Sequence, residues 1–176
     1  GELRMGNPGA LQVDVGPVID AEAQSRITAH IEALKANGHR VFQQCRSDSH
    51  EAAQGTFVLP TLIELNHIGE LQREVFGPVL HLVRYARNDL DQLLDQINAT
   101  GYGLTLGVHT RIDETIDRVV SRAHAGNVYV NRNMVGAVVG VQPFGGEGLS
   151  GTGPKAGGPM YLLRLLSERP ADALAQ

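Results

Sequence analysis

This sequence has little of what several common classes of function require. It contains a single cysteine, Cys45, so no internal disulfide framework can form, and a reducing cytoplasm is the expected location. No apolar run comes near the roughly twenty residues of a membrane span. The first residues, Gly1-Glu2-Leu3-Arg4, lack the apolar stretch of a secretory signal, and none is expected. Lysine and arginine together number 15 against 19 acidic residues, for a net charge of −4, and they form no stripe. A nucleic-acid partner therefore has no electrostatic support. The histidines, at 30, 39, 50, 67, 81, 109 and 124, include no pair four residues apart on a helix face, and the lone cysteine has no matching ligand set. No metal site is expected, and most of these histidines are expected at the surface or at helix ends.

What is present suits a globular domain: 176 residues, 42% of them hydrophobic and 19% charged. Asp20 can cap a helix running to about Asn37, with Ile27, Ile31 and Leu34 on one face and Gly38 as its stop. Arg40 to Gln44 reads as a short strand and Gln43 to Gly55 as a polar loop. Thr56 to Leu65 is β-rich, although Pro60 argues for an edge or a bend. Asn66 to Pro78 reads as a loop and Val79 to Tyr85 as a strand. Asn88 can cap a second helix, with Leu90, Leu93, Leu94 and Ile97 on one face and Gly101 and Gly103 at its end. A strand over Leu104 to Thr110 follows. A third helix carries Ile116, Val119, Val120 and Ala123 and stops at Gly126. Asn127 to Asn131 is then a strand. Alternating strands and helices predict an α/β layer architecture with parallel pairs. A short helix is expected over Met160 to Ser167.

Ten of the 21 glycines lie between Gly126 and Gly158. Backbone there is expected to be irregular or pressed against something else. The long loop Arg132 to Pro159 carries Val135, Val138, Val139, Val141, Phe144 and Leu149, too apolar a content for simple disorder, which favours function. Within it, Gly146-Glu147-Gly148-Leu149-Ser150-Gly151 matches G-x-G-x-x-G literally. A dinucleotide fingerprint needs a strand before it and a helix opening within it, and Pro143-Phe144 before and Thr152-Gly153-Pro154 after supply neither. Cys45, followed by Arg46 and closely by His50, invites a nucleophile reading. Sequence neighbours seldom form such dyads, so an inert, partly buried thiol is the favoured reading.

Glu74-Val75-Phe76-Gly77-Pro78 is the most telling short motif. On extended backbone, residues two apart point the same way, so Glu74 and Phe76 can face one ligand while Gly77-Pro78 turns behind them. A carboxylate can accept both hydroxyls of a ribose diol, and an aromatic ring can flank a nicotinamide. An exposed Glu before a turn explains the same residues equally well.

Taken in order, several segments resemble the aldehyde dehydrogenase superfamily. They are Met5-Gly6-Asn7-Pro8, Val15-Gly16-Pro17-Val18-Ile19, the Glu74–Pro78 motif, Gly101-Tyr102-Gly103-Leu104 followed by Gly107, Gly126 to Asn131, and Gln142-Pro143-Phe144-Gly145-Gly146. With Gly136-Ala137 ahead and Gly151-Thr152-Gly153-Pro154-Lys155-Ala156-Gly157-Gly158-Pro159 behind, the chain looks most like L-glutamate γ-semialdehyde dehydrogenases, in particular the dehydrogenase module of bifunctional proline utilization A enzymes. The resemblance covers nearly the whole chain.

The resemblance implies an α/β fold, the C-terminal part of an aldehyde dehydrogenase-like catalytic domain, with a layered sheet and flanking helices. Residues 1–166 would be that partial domain and 167–176 an extension or linker. It implies NAD as cofactor, with Glu74 on the nicotinamide ribose and Phe76 on the nicotinamide. It implies L-glutamate γ-semialdehyde as substrate, with Gly136 and Ala137 offering backbone N–H groups to its carboxylate and Phe144 packing on its aliphatic part. In family order the thiolate nucleophile, the general-base glutamate and the main NAD-binding unit lie upstream, so no catalytic residue is expected among these 176 and the isolated polypeptide is expected to be inactive. FAD would belong only to the proline dehydrogenase domain of a bifunctional parent. A homo-oligomer is compatible with the resemblance. The competing readings are an aldehyde dehydrogenase of other specificity and a binding or assembly module without chemistry.

Overall fold

The computed structural model describes residues 2–43, 55–135 and 144–151. The chain divides into two compact units, 1–85 and 86–176, each taken by itself below.

The first unit is a three-stranded sheet covered by one helix. Helix α1, Ala21–Ala36, begins where Asp20 accepts a hydrogen bond from the Ala23 amide at 2.7 Å. It ends before Gly38, whose φ of 85° only glycine adopts freely. The strands are β1, Arg40–Gln43, β2, Thr61–Leu65, and β3, Val79–Val83. β2 is central, antiparallel to β1 and parallel to β3. Pro60 does not make this an edge strand. It immediately precedes β2, where its missing N–H costs no ladder bond. Ile63 and Leu65 of β2 turn inward and pack with Val58 and with Ile27 and Ile31 of α1. Burying each of these aliphatic side chains contributes about 1.5–3 kcal/mol, so the helix is held chiefly by this face.

Parallel strands usually need a crossover helix. Between β2 and β3 the crossover is instead an irregular segment, 66–78, with one 3-10 turn at Ile68–Glu70. That segment contains the Glu74–Pro78 motif.

In the second unit, a 3-10 turn over Arg87–Asp89 leads into α2, Leu90–Ala99. Asn88 lies inside that turn and does not cap the helix. Two-residue β4, Tyr102–Gly103, pairs antiparallel with β7, Glu147–Gly148. β5, Thr105–Val108, and β6, Asn127–Val130, are parallel and are joined through α3, Asp113–Arg122. Leu90, Leu94, Val108 and Val119 form the core. On the outer side Arg118 pairs with Asp91 at 2.8 Å and Arg122 with Asp95 at 2.6 Å. Asn98 receives the chain leaving α3, accepting from the His124 amide and donating to the Arg122 carbonyl. These bonds end α3 at Arg122, short of the expected Ala123.

Gly126 lies so close to the Gly145 carbonyl that a β-carbon at 126 would overlap it. The Gly145 amide also donates to the Asn127 side chain at 3.3 Å. The glycine concentration thus lets one stretch of main chain lie directly on another. No helix opens within 144–151, in keeping with rejection of the nucleotide fingerprint there.

Candidate cofactor-facing loop

The segment that leaves β2 and returns to β3 presents Glu74 and Phe76 outward and turns Val75 inward. This alternation is that of extended backbone, as the spacing predicts. Phe76 is 85% exposed, an unusual state for a phenylalanine with no described aromatic partner. Glu74 makes no hydrogen bond or ion pair among the described residues, so both its oxygens are free to accept.

Three contacts fix the loop from behind. Gly77 sits directly on the Ile27 side chain of α1, and a β-carbon at 77 would overlap Ile27 Cδ1. The Val79 amide then donates to the Gly77 carbonyl at 2.8 Å, closing a tight turn around Pro78. The Pro78 carbonyl accepts from the Thr61 amide at 2.9 Å, which starts the β2–β3 ladder. The motif is therefore a rigid turn that lifts a carboxylate and an aromatic ring off a buried support.

Between this loop and α1 lies a cleft of about 160 Å³. Arg26, His30, Arg73 and Glu74 line it together with Phe76 and Ile27. His30 reaches across to His81 of β3, Nε2 to Nε2 at 2.9 Å, with the rings edge-on. Burial lowers the pKa of His30, and the Arg73 charge lowers it further. Burial likewise lowers that of His81, with His30 adding to the effect. Nothing in the sequence pairs the two histidines. They lie 51 residues apart, and only the sheet and its covering helix bring them together.

A larger cleft, about 420 Å³, opens at the end of α1 beside His39, Arg40, Glu64 and Arg84. Its charges are already spent on one another. Glu64 accepts from Arg40 at 3.1 Å and from Arg84 at 2.6 Å, and the Arg84 hydrogen bond holds its carboxyl below the usual range. His39 bridges the Glu64 carbonyl and the Glu70 carboxylate. Size alone does not make this the site: the Glu64 carboxylate of the larger cleft is already paired with Arg40 and Arg84, whereas the Glu74 carboxylate has no partner among the described residues.

In the second unit, Phe144 is half-buried and adjoins Gly145, which Gly126 and Asn127 hold in place. Gly136, Ala137 and Cys45 lie outside the described residues. Among the described residues, no group of three or more His, Cys, Asp or Glu gathers to hold a metal ion, and no helix is long and apolar enough to cross a membrane.

Comparison with known proteins gives a consistent set of relatives. A profile described as the aldehyde dehydrogenase family matches residues 1–169. The bifunctional protein PutA of Klebsiella aerogenes is 69% identical over 176 residues, a stretch covering 98% of this chain and 13% of that protein. The protein of the same name from Escherichia coli K12 is 68% identical, covering 99% of this chain and 13% of its own length. A 1-pyrroline-5-carboxylate dehydrogenase of Bacillus subtilis is 41% identical, covering 88% and 29%. The fold superimposes on a crystal structure of a Bradyrhizobium japonicum proline utilization A variant with a TM-score of 0.83 and 54% identity, over 93% of this chain and 16% of that one. The chain thus spans about 13% of the length of the PutA relatives it matches.

Proposed function

This chain belongs to the aldehyde dehydrogenase family, and from that premise we propose that it is the cofactor-facing and substrate-facing segment of an NAD-dependent L-glutamate γ-semialdehyde dehydrogenase acting in proline catabolism. The observation that carries the reading is the presentation of Glu74 and Phe76 on a turn braced by Gly77 against Ile27. The names of the relatives, PutA and 1-pyrroline-5-carboxylate dehydrogenase, support the choice of substrate.

NAD supplies the hydride acceptor when bound. In this chain, the two free oxygens of Glu74 accept hydrogen bonds from the nicotinamide ribose hydroxyls. The exposed ring of Phe76 packs on the nicotinamide and keeps water from it. Exposed position, free acceptors and a rigid support all suit such a group. Gly136 and Ala137 donate backbone N–H groups to the substrate carboxylate, and Phe144 lies along its methylene chain. The nucleophile and general base come from outside these 176 residues, so the isolated polypeptide is inactive. The parent is bifunctional, as the relatives' names suggest, with FAD confined to a proline dehydrogenase domain elsewhere. The single cysteine supports a cytoplasmic setting.

The test is NADH formation from L-glutamate γ-semialdehyde by the full-length protein carrying this segment, beside the same assay with Glu74→Ala. Formation of NADH that is much reduced in the variant is expected. A full-length protein inactive on this substrate but active on simple aldehydes would overturn the substrate assignment.

A further inference from the structure

His30 and His81 take no part in the reading above, yet they join the two elements that flank the Glu74–Phe76 loop. Their Nε2 atoms are 2.9 Å apart and the ring centroids 5.1 Å. A hydrogen bond between two Nε2 atoms needs one ring to donate and the other to accept. The accepting ring must be neutral, with its proton on Nδ1. A first added proton can go to Nδ1 of the donating ring and leaves the bond in place. A second removes the only acceptor and sets two imidazolium rings in contact. The pair therefore titrates as a unit and comes apart when doubly protonated.

The surroundings resist both protons. Burial is the larger cause for each ring, followed by Arg73 for His30 and by His30 for His81. From α1, Arg26 lines the same cleft; from the loop, Arg73 and Glu74 do. From β2, the residue in register with His81 is the apolar Ile63, and Val79 and Val83 flank His81 along β3. Because folding lowers both pKa values, the folded form binds fewer protons than the unfolded chain in this range. The contribution of the pair is complete above about pH 6.5 and is lost as pH falls through the lowered folded values.

Position gives the pair its consequence. Ile27, on which Gly77 rests, is three residues before His30 on α1, so both side chains share one helix face. His81 is the third residue of β3, the strand into which the loop runs. The Gly77–Ile27 contact and the histidine pair thus fasten α1 to the same stretch of chain at two successive points. We propose that the His30–His81 hydrogen bond is a clip that positions the Glu74–Phe76 loop, so that acidification releases the loop and weakens binding of the nicotinamide cofactor. The proposal rests on the cofactor role given above to Glu74 and Phe76.

The experiment measures the NADH dissociation constant by fluorescence between about pH 7.5 and about pH 5.5 in the full-length enzyme and its His30→Gln, His81→Gln and Glu74→Gln variants. Glutamine can keep a hydrogen bond but does not titrate. The unmodified enzyme should bind NADH about fivefold more weakly at the acid end, and either histidine variant should flatten that change to below about twofold. A histidine variant that retains the full pH dependence overturns the clip, provided Glu74→Gln binds NADH more weakly. An unchanged dissociation constant in Glu74→Gln overturns the cofactor role of the loop, and the clip with it. Hydrogen exchange of residues 71–78 in the unmodified enzyme needs no variant to fold. Once the intrinsic slowing of amide exchange in acid is divided out, lower protection at the acid end is expected, and identical protection factors at both pH values also overturn the clip.

Discussion

The main chain at Gly77 lies against the side chain of Ile27 with no room between them for a β-carbon. Glycine is needed there for close approach, since no left-handed φ is recorded at 77. Gly77→Ala should cost about 1–3 kcal/mol, the range for overpacking a filled core. The obstructing atom is the end of the Ile27 side chain, so Ile27→Val in the same protein should recover part of the loss. The two changes would then be non-additive. Hydrogen exchange of α1 amides in the single and double variants checks both expectations.

Glu74 should behave as a ligand-facing group and not as a structural one. Among the described residues it holds nothing else in place, so Glu74→Ala should leave the unfolding midpoint nearly unchanged. KM for NAD should rise roughly tenfold, the scale of one lost charge-assisted hydrogen bond, with the hydride-transfer rate falling as well. Unchanged NAD kinetics would show that Glu74 is only a surface residue before a turn.

The features readable in the sequence were those carried by local chemistry. Asp20 caps α1 and Gly38 follows it, as side-chain and backbone preferences dictate. The alternation at Glu74, Val75 and Phe76 follows from a two-residue period. Contacts made by the fold were not readable. Nothing near Pro60 tells that β2 will be central, because that depends on β1 and β3 pairing to either side. The Asn88 cap failed because a 3-10 turn over Arg87–Asp89 starts the helix one residue later. Nor does any spacing announce that His30 will meet His81, or that Gly126 must make way for the Gly145 carbonyl.

Asn131 shows how one side chain can close a pair of strands. It follows β6 at a φ of 53°, which asparagine tolerates better than most residues. Its side chain accepts from the Thr110 amide and donates to the Thr110 carbonyl, both at 2.9 Å. Its own amide donates to the Val108 carbonyl at 2.9 Å, so the ends of β5 and β6 are tied three times. Asn131→Ala should cost about 1–3 kcal/mol through both the backbone and the lost bonds. Asn131→Gly should restore only the backbone part and fall between the two. Exchange rates of the β5 and β6 amides give the ranking, and equal losses for Ala and Gly would show that the left-handed conformation matters little.

Substrate choice offers a prediction in the second unit. Phe144 stands directly before the Gly145–Gly126 contact, so its backbone is fixed by main chain packed on main chain. In the sequence Gly136 and Ala137 precede it, in a run that also carries Val138, Val139 and Val141, and a hydrogen bond to an anion is stronger in apolar surroundings. A glycine at 136 lets an anion approach the amides closely, and alanine at 137 adds little bulk. In the full-length enzyme, Gly136→Val should therefore lower kcat/KM for L-glutamate γ-semialdehyde while sparing aldehydes that carry no carboxylate. Phe144→Ala should weaken both, because a methylene chain and a simple alkyl chain bury the same kind of surface. The measurement is kcat/KM for both aldehyde types at saturating NAD. Equal losses in Gly136→Val would mean that residue 136 supports the site as a whole without reading the carboxylate, and no loss would mean that it is not at the substrate.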